Sequence, residues 1–154
     1  MVAEENAPVL RKKSLAVILA EDDEDDFLLT KEALQEAGLD IALYRVKNGE
    51  ELIDCLRRRG AFQGRSIDPV VILLDLNMPK KDGREALKEI KSDASLRLIP
   101  VVVLTNSKAP EDIQRSYDLG VNSFIRKPTR FDQFVEVVKT LKQYWFDVVE
   151  LPFH

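Results

Sequence analysis

Three things are scarce in this sequence. Cys55 is the only cysteine in 154 residues, so no internal disulfide can form. Its apolar helical setting reads as a buried thiol, and the lack of a disulfide framework points to a reducing, cytoplasmic environment. Basic charge is not in excess: 23 Lys and Arg stand against 27 Asp and Glu, a net −4, without the basic face that nucleic acid requires. No apolar run approaches membrane-spanning length, and the N-terminus lacks the apolar stretch of a secretory signal. These shortages argue against a disulfide scaffold, a nucleic-acid binder and a membrane protein. What remains is an ordinary globular composition, 45% hydrophobic and 32% charged, long enough for one domain with a real core.

The chain alternates short apolar runs with amphipathic stretches. LAVILA (15–20), VVILL (70–74) and VVVL (101–104) are nearly continuous and rich in β-branched residues, as parallel strands covered on both faces are. IALYRV (41–46) and NSFIR (122–126) are less uniform, as edge strands would be. Between them Phe27, Thr30, Leu34 and Ala37 share a helical face that Gly38 ends. Leu52, Cys55 and Leu56 mark a second helix ending near Gly60, and Ala86, Leu87 and Ile90 a third. Ile113 with Tyr117 marks a fourth, closed by Gly120, and a long stripe from Phe131 to Trp145 the fifth. Five strands alternating with five helices, strand first, predict an open parallel α/β sheet with right-handed crossovers. The polar stretch 1–13 reads as a mobile arm. The arginines of RRRG (57–60) read as a solvated helix end rather than a phosphate site.

In such sheets functional groups gather beyond the carboxyl ends of the strands. There the sequence places Glu21 and Asp22 after the first strand, Asp75 after the third, Thr105 after the fourth and Lys127 after the fifth. Facing carboxylates form a hard oxygen site suited to Mg²⁺. An ionised aspartate beside such a cation can attack phosphorus to give an acyl phosphate. Lys127 offers a point positive charge and Thr105 a hydroxyl, both able to hold phosphoryl oxygens. Within the acidic run EDDEDD (21–26), Asp23 suits a helix N-cap, and Glu24, Asp25 and Asp26 suit the first turn, where negative charge favours the helix dipole.

The segments ILAEDD, ILLDLNMPKKDG, VVVLTNS and FIRKP, in this order and spacing, resemble the receiver domains of bacterial two-component response regulators. The resemblance covers residues 14–150 and leaves 151–154 as a tail. It implies a flavodoxin-like, doubly wound five-stranded parallel sheet of order 2-1-3-4-5 with five helices. It implies Asp75 as phosphoacceptor, with Asp22 and Asp75 as direct ligands of Mg²⁺ or another divalent cation such as Mn²⁺. Glu21 would act through water, and Asn77 would lend its backbone carbonyl. Thr105 and Lys127 would bind the phosphoryl group, Phe124 would take the aromatic switch position with Thr105, and Lys127–Pro128 would be a cis peptide. LDLNMPKKDGREALKEIKSD, RLIPVVVLTNS and the ending YWFDVVELPF are similar to stand-alone regulators that partner bacterial phytochrome kinases. The implied role is a cytoplasmic phosphorylation switch serving a sensor histidine kinase and acting through partners or self-association, without turnover of external substrates.

Other functions fit less well. A phosphatase of the haloacid dehalogenase type needs a second acid two residues after its nucleophile, where Asn77 stands. Nucleotide or flavin binding needs a glycine-rich first turn, not a wall of acids. A calcium loop counted from Asp22 fails at Phe27 and Ala33. An interaction module without phosphorylation is the remaining alternative. The apolar surplus at Val137, Phe146, Val148, Val149, Leu151 and Phe153 suggests a homodimer interface, joining the surface of the fourth helix, fifth strand and fifth helix; the alternative is a tail folded onto the core.

Overall fold

The computed structural model describes residues 16–38, 41–64, 67, 69–107 and 109–150. The arm at 1–13 and the tail at 151–154 therefore lie outside the described residues. The strands are β1 (Ala16–Ala20), β2 (Ala42–Val46), β3 (Val71–Leu74), β4 (Val101–Thr105) and β5 (Ser123–Arg126). They form one parallel sheet in the order β2-β1-β3-β4-β5, the expected order. The helices are α1 (Glu24–Glu36), α2 (Gly49–Arg57), α3 (Gly83–Ser92), α4 (Pro110–Asp118) and α5 (Phe131–Lys142).

Alternation along the strands divides the core in two. Ile18, Ala20, Ile72, Leu74, Val101 and Val103 face one way, onto Leu52 and Ile53 of α2 and Ala86, Leu87 and Ile90 of α3. Val17, Leu19, Val71, Leu73, Val102 and Leu104 face the other way, onto Phe27 and Leu34 of α1 and Phe134, Val135 and Val138 of α5. Because both faces are covered, β1, β3 and β4 are buried throughout and carry no polar alternation. Cys55 is buried, which pushes its thiol up to about 12.

Local chemistry sets the helix ends. Asp23 accepts from the Asp26 N–H at 2.9 Å, with Glu24, Asp25 and Asp26 in the first turn of α1. Asn48 caps α2, and Asp82 and Glu85 form a reciprocal capping box on α3. Helix α2 stops at Arg57, earlier than Gly60, because Arg58 takes the left-handed conformation at its end (φ 58°). Arg57 pairs with Asp93 at 2.9 Å and Arg59 with Asp54 at 3.3 Å, so these cations serve neighbouring acids.

Two expectations are corrected. The fourth helix does not turn Ile113 and Tyr117 fully inward: its buried residues are Asp112 and Ser116, and Tyr117 is 49% exposed. The inward acid is tolerated because a guanidinium waits for it, as described below. The Lys127–Pro128 peptide, expected cis, is trans, since no peptide bond among the described residues is cis. Trans is the intrinsically favoured form of an X–Pro bond. The Lys127 N–H still donates to the Thr105 carbonyl at 2.8 Å, so the chain continues the β4–β5 pairing and reaches the same edge.

At the C-terminal end, α5 runs into a wider π-type turn, Gln143–Val148, that buries Trp145. Phe146 and Val149 pack against the same core. Much of the apolar surplus is thus folded back, with Val148 left 62% exposed and Leu151 and Phe153 outside the described residues.

Candidate functional site

Register brings the strand ends level. Ala20 pairs with Leu74, Leu74 with Val103, and Thr105 with Arg126, so Glu21, Asp75, Thr105 and Lys127 emerge along one edge. It is the edge where the chain reverses its winding direction, between β1 and β3. The Asp75 N–H donates to the Ala20 carbonyl and the Glu21 N–H to the Val46 carbonyl, which ties the acid-bearing turns to the sheet.

Glu21, Asp22 and Asp75 each present a carboxylate oxygen, and these atoms lie within 4.8 Å of one another. Glu21 and Asp75 are buried, whereas Asp22 is exposed. Three carboxylates at this spacing, two of them shielded from water, repel each other and suit a hard divalent cation that retains some of its waters. The donor set fits Mg²⁺ or Mn²⁺. Asn77 is exposed beside Asp75, its N–H 3.4 Å from Asp75 Oδ1.

Thr105 is fully buried and donates its hydroxyl to Asp75 Oδ1 at 2.9 Å. Lys127 donates to Glu21 Oε1 at 2.6 Å and stands 3.8 Å from Asp26 Oδ2. Its side chain is only 8% exposed, and that of Glu21 2%. Burial pushes the Glu21 carboxyl up to about 7 against the opposing pull of the Lys127 ammonium, and the nearby Asp75 adds to the rise. Phe124 lies in β5, half-buried against the core, with its N–H 3.2 Å from the Tyr117 hydroxyl. The structure therefore brings together Glu21, Asp22, Asp75, Thr105 and Lys127, with Asn77 at the rim and Phe124 further along β5.

Sequence reasoning overlooked several residues that build this edge. Gly83 opens α3 directly against the turn that carries Asp75: a Cβ there would lie 2.3 Å from the Asp75 carbonyl oxygen, so only glycine fits. The composition of KKDG suits a turn, but nothing in it announces a close approach. Arg45 stacks over Phe27 at 4.3 Å and donates to the carbonyls of Glu21 (3.1 Å) and Asp22 (3.3 Å) and to Glu24 Oε1 (2.7 Å). It fastens the turn carrying the acid pair. Arg84 grips Asp112 through Nε and Nη2, at 2.8 and 2.7 Å, and lies 3.4 Å from Asn77 Oδ1. Ser107 donates to Asp112 at 2.6 Å. Arg45 and Arg84 meet partners 21 to 28 positions away, and no local signal announces such pairs.

The family model for the response regulator receiver domain matches residues 17–139. Response regulator Rcp1 of Synechocystis sp. is 38% identical over 136 residues, covering 88% of this chain and 92% of Rcp1. The crystal structure of the phosphorylated cyanobacterial phytochrome response regulator RcpA superposes with a TM-score of 0.83 at 43% identity, covering 89% of this chain and 97% of that one. The Mn²⁺-bound form of Rcp1 superposes with a TM-score of 0.82 at 37% identity, covering 89% and 98%.

Proposed function

This chain belongs to the response regulator receiver family, and from that premise we propose that it is a switch phosphorylated on Asp75 by a sensor histidine kinase. The observation that carries the reading is the convergence of Asp75, Thr105, Lys127 and the acid pair on one edge. The Asp75 carboxylate oxygen attacks phosphorus of a phosphohistidine, the P–N bond breaks with its electron pair passing to the imidazole nitrogen, and an acyl phosphate forms. Asp22, Asp75 and the Asn77 carbonyl would hold a divalent cation, with Glu21 acting through water, and such a cation would supply charge neutralisation during transfer. Thr105 and Lys127 then turn to the new phosphoryl oxygens. The movement of Thr105, with Phe124 following, biases the surface of α4, β5 and α5.

A groove lined by Asp26, Leu29, Thr30, Lys127, Pro128 and Phe134 opens beside the site, and Leu29 in its wall is exposed. We read this as the approach for the donor domain, and a phytochrome kinase as the donor, because the named relatives Rcp1 and RcpA cover nearly the whole chain and RcpA is a phytochrome response regulator. Residues 14–150 form the receiver unit. Output passes through partners or through a homodimer on the α4–β5–α5 surface, without turnover of external substrates: Asn77 is an amide where a phosphatase would place its second acid. The buried free thiol of Cys55 fits a cytoplasmic setting. Among the described residues no helix is long and apolar enough to cross a membrane.

The test is incubation with Mg²⁺ and acetyl phosphate, followed by intact-mass measurement. Wild type gains one phosphoryl group and Asp75→Asn gains none. Wild type left unmodified overturns the reading.

A further inference from the structure

Helix α4 is fastened to the domain unlike its neighbours. Helix α1 buries Phe27, Ala33 and Leu34, α3 buries Ala86, Leu87 and Ile90, and α5 buries Phe134, Val135 and Val138. Helix α4 buries Asp112 and Ser116. A carboxylate turned inward costs desolvation unless a charged partner meets it. Arg84 meets Asp112 with two parallel hydrogen bonds of 2.8 and 2.7 Å, and the Ser107 hydroxyl adds a third at 2.6 Å. The same guanidinium lies 3.4 Å from the Leu76 carbonyl and 3.4 Å from Asn77 Oδ1, within two residues of Asp75. Arg84 itself lies in the first turn of α3, its N–H held by Asp82. One side chain thus touches both the acceptor turn and the inward face of α4.

We infer that the Arg84–Asp112 pair is a second mechanical link, separate from Thr105 and Phe124, that carries the state of Asp75 to α4. The inference rests on the reading of Asp75 as phosphoacceptor. A phosphoryl group there adds negative charge and three strong acceptor oxygens beside the Leu76–Asn77 turn. A guanidinium is a planar fork drawn to such oxygens. Any shift of Arg84 toward the acceptor, or of the turn it touches, opens the fork on Asp112. Helix α4 has little apolar burial of its own to keep it seated, so it is the element that moves.

Amide hydrogen exchange over residues 109–119 tests this on the full chain, with and without Mg²⁺ and beryllofluoride as phosphoryl mimic. In wild type the mimic speeds exchange in this segment. In Asp112→Asn and Arg84→Gln exchange is already about tenfold faster without the mimic, the change that about 1.4 kcal/mol of opening free energy gives, and the mimic adds little. Arg84→Lys keeps the charge but not the fork and falls between, which keeps the test open if a bolder variant fails to fold. Acetyl phosphate labelling of each variant, counted by mass, reports separately on the acceptor. Labelled variants whose 109–119 segment answers the mimic as wild type does overturn the link. A wild type that takes no label removes the phosphoacceptor reading, and the link falls with it.

Discussion

The two cation–carboxylate pairs beside Asp75 are opposites in construction. Lys127 meets Glu21 through a single 2.6 Å contact in a nearly dry setting, and the Glu21 carboxyl is pushed up to about 7. Arg84 meets Asp112 through a two-bond fork, which with Ser107 holds the Asp112 carboxyl down at about 2. In the first pair burial outweighs attraction; in the second, attraction outweighs burial. An ammonium is a point charge on a rotatable stem, whereas a guanidinium fork is committed to a direction. Under the proposed function, Lys127 trades Glu21 for a phosphoryl oxygen by turning its stem. Arg84 cannot leave Asp112 without releasing a helix.

The sharpest way to break this contrast is to remove the lysine. Lys127→Ala removes the counter-charge of the buried Glu21 carboxyl, which should then keep its proton to higher pH. In metal-free buffer the variant should therefore lose stability progressively as pH rises above 7, by up to about 3 kcal/mol. Urea unfolding with EDTA measures this, and a loss below about 1 kcal/mol would mean the lysine is not the resident counter-charge. Next in size is the cation itself. Mg²⁺ at a hundred times its dissociation constant should add about 2.7 kcal/mol to wild type. Asp22→Asn should gain far less, and EDTA should reverse the effect. Asp112→Asn should keep the gain, since its pair lies outside the carboxylate cluster.

The arginine pair follows. The Asp112 carboxyl falls from an ordinary 3.8 to about 2, so the unfolded chain takes up its proton first as pH drops. The stabilisation is full above about pH 4 and fades as pH falls toward 2, with a size of about 2 kcal/mol. The difference in urea midpoint between wild type and Asp112→Asn, followed from pH 6 to pH 2.5, should shrink along that course. A difference that stays flat with pH would assign the effect to packing. As a baseline, the exposed Lys139–Glu136 pair, 3.4 Å apart, should contribute little: Lys139→Ala should shift stability by less than about 0.5 kcal/mol.

The contrast also marks what the sequence could convey. The strands were legible because residues buried on both sheet faces leave unbroken apolar runs, as in LAVILA and VVVL. The acids at strand ends were legible for the same reason, since each follows such a run directly. Which partner each charged group meets was not. Lys127 and Glu21 are 106 positions apart, and pairing at that range depends on strand order and register rather than on local pattern. Helix α4 misled in a specific way. Ile113 and Tyr117 form the apolar stripe that periodicity selects, yet the inward side carries Asp112 and Ser116 because a distant arginine supplies what the acid needs. Apolar periodicity finds the buried side only where burial is apolar.

Trp145 has a practical consequence of another kind. It is the only tryptophan in the chain, 8% exposed in the turn that ends α5, and it sits with Val17, Leu73 and Val138. Its edge-on neighbour is Tyr144, with ring centroids 5.3 Å apart. Intrinsic emission from this protein is thus the signal of one shielded indole. It will shift to longer wavelength when α5 leaves the sheet, and so it serves as an optical gauge of the whole domain's melting.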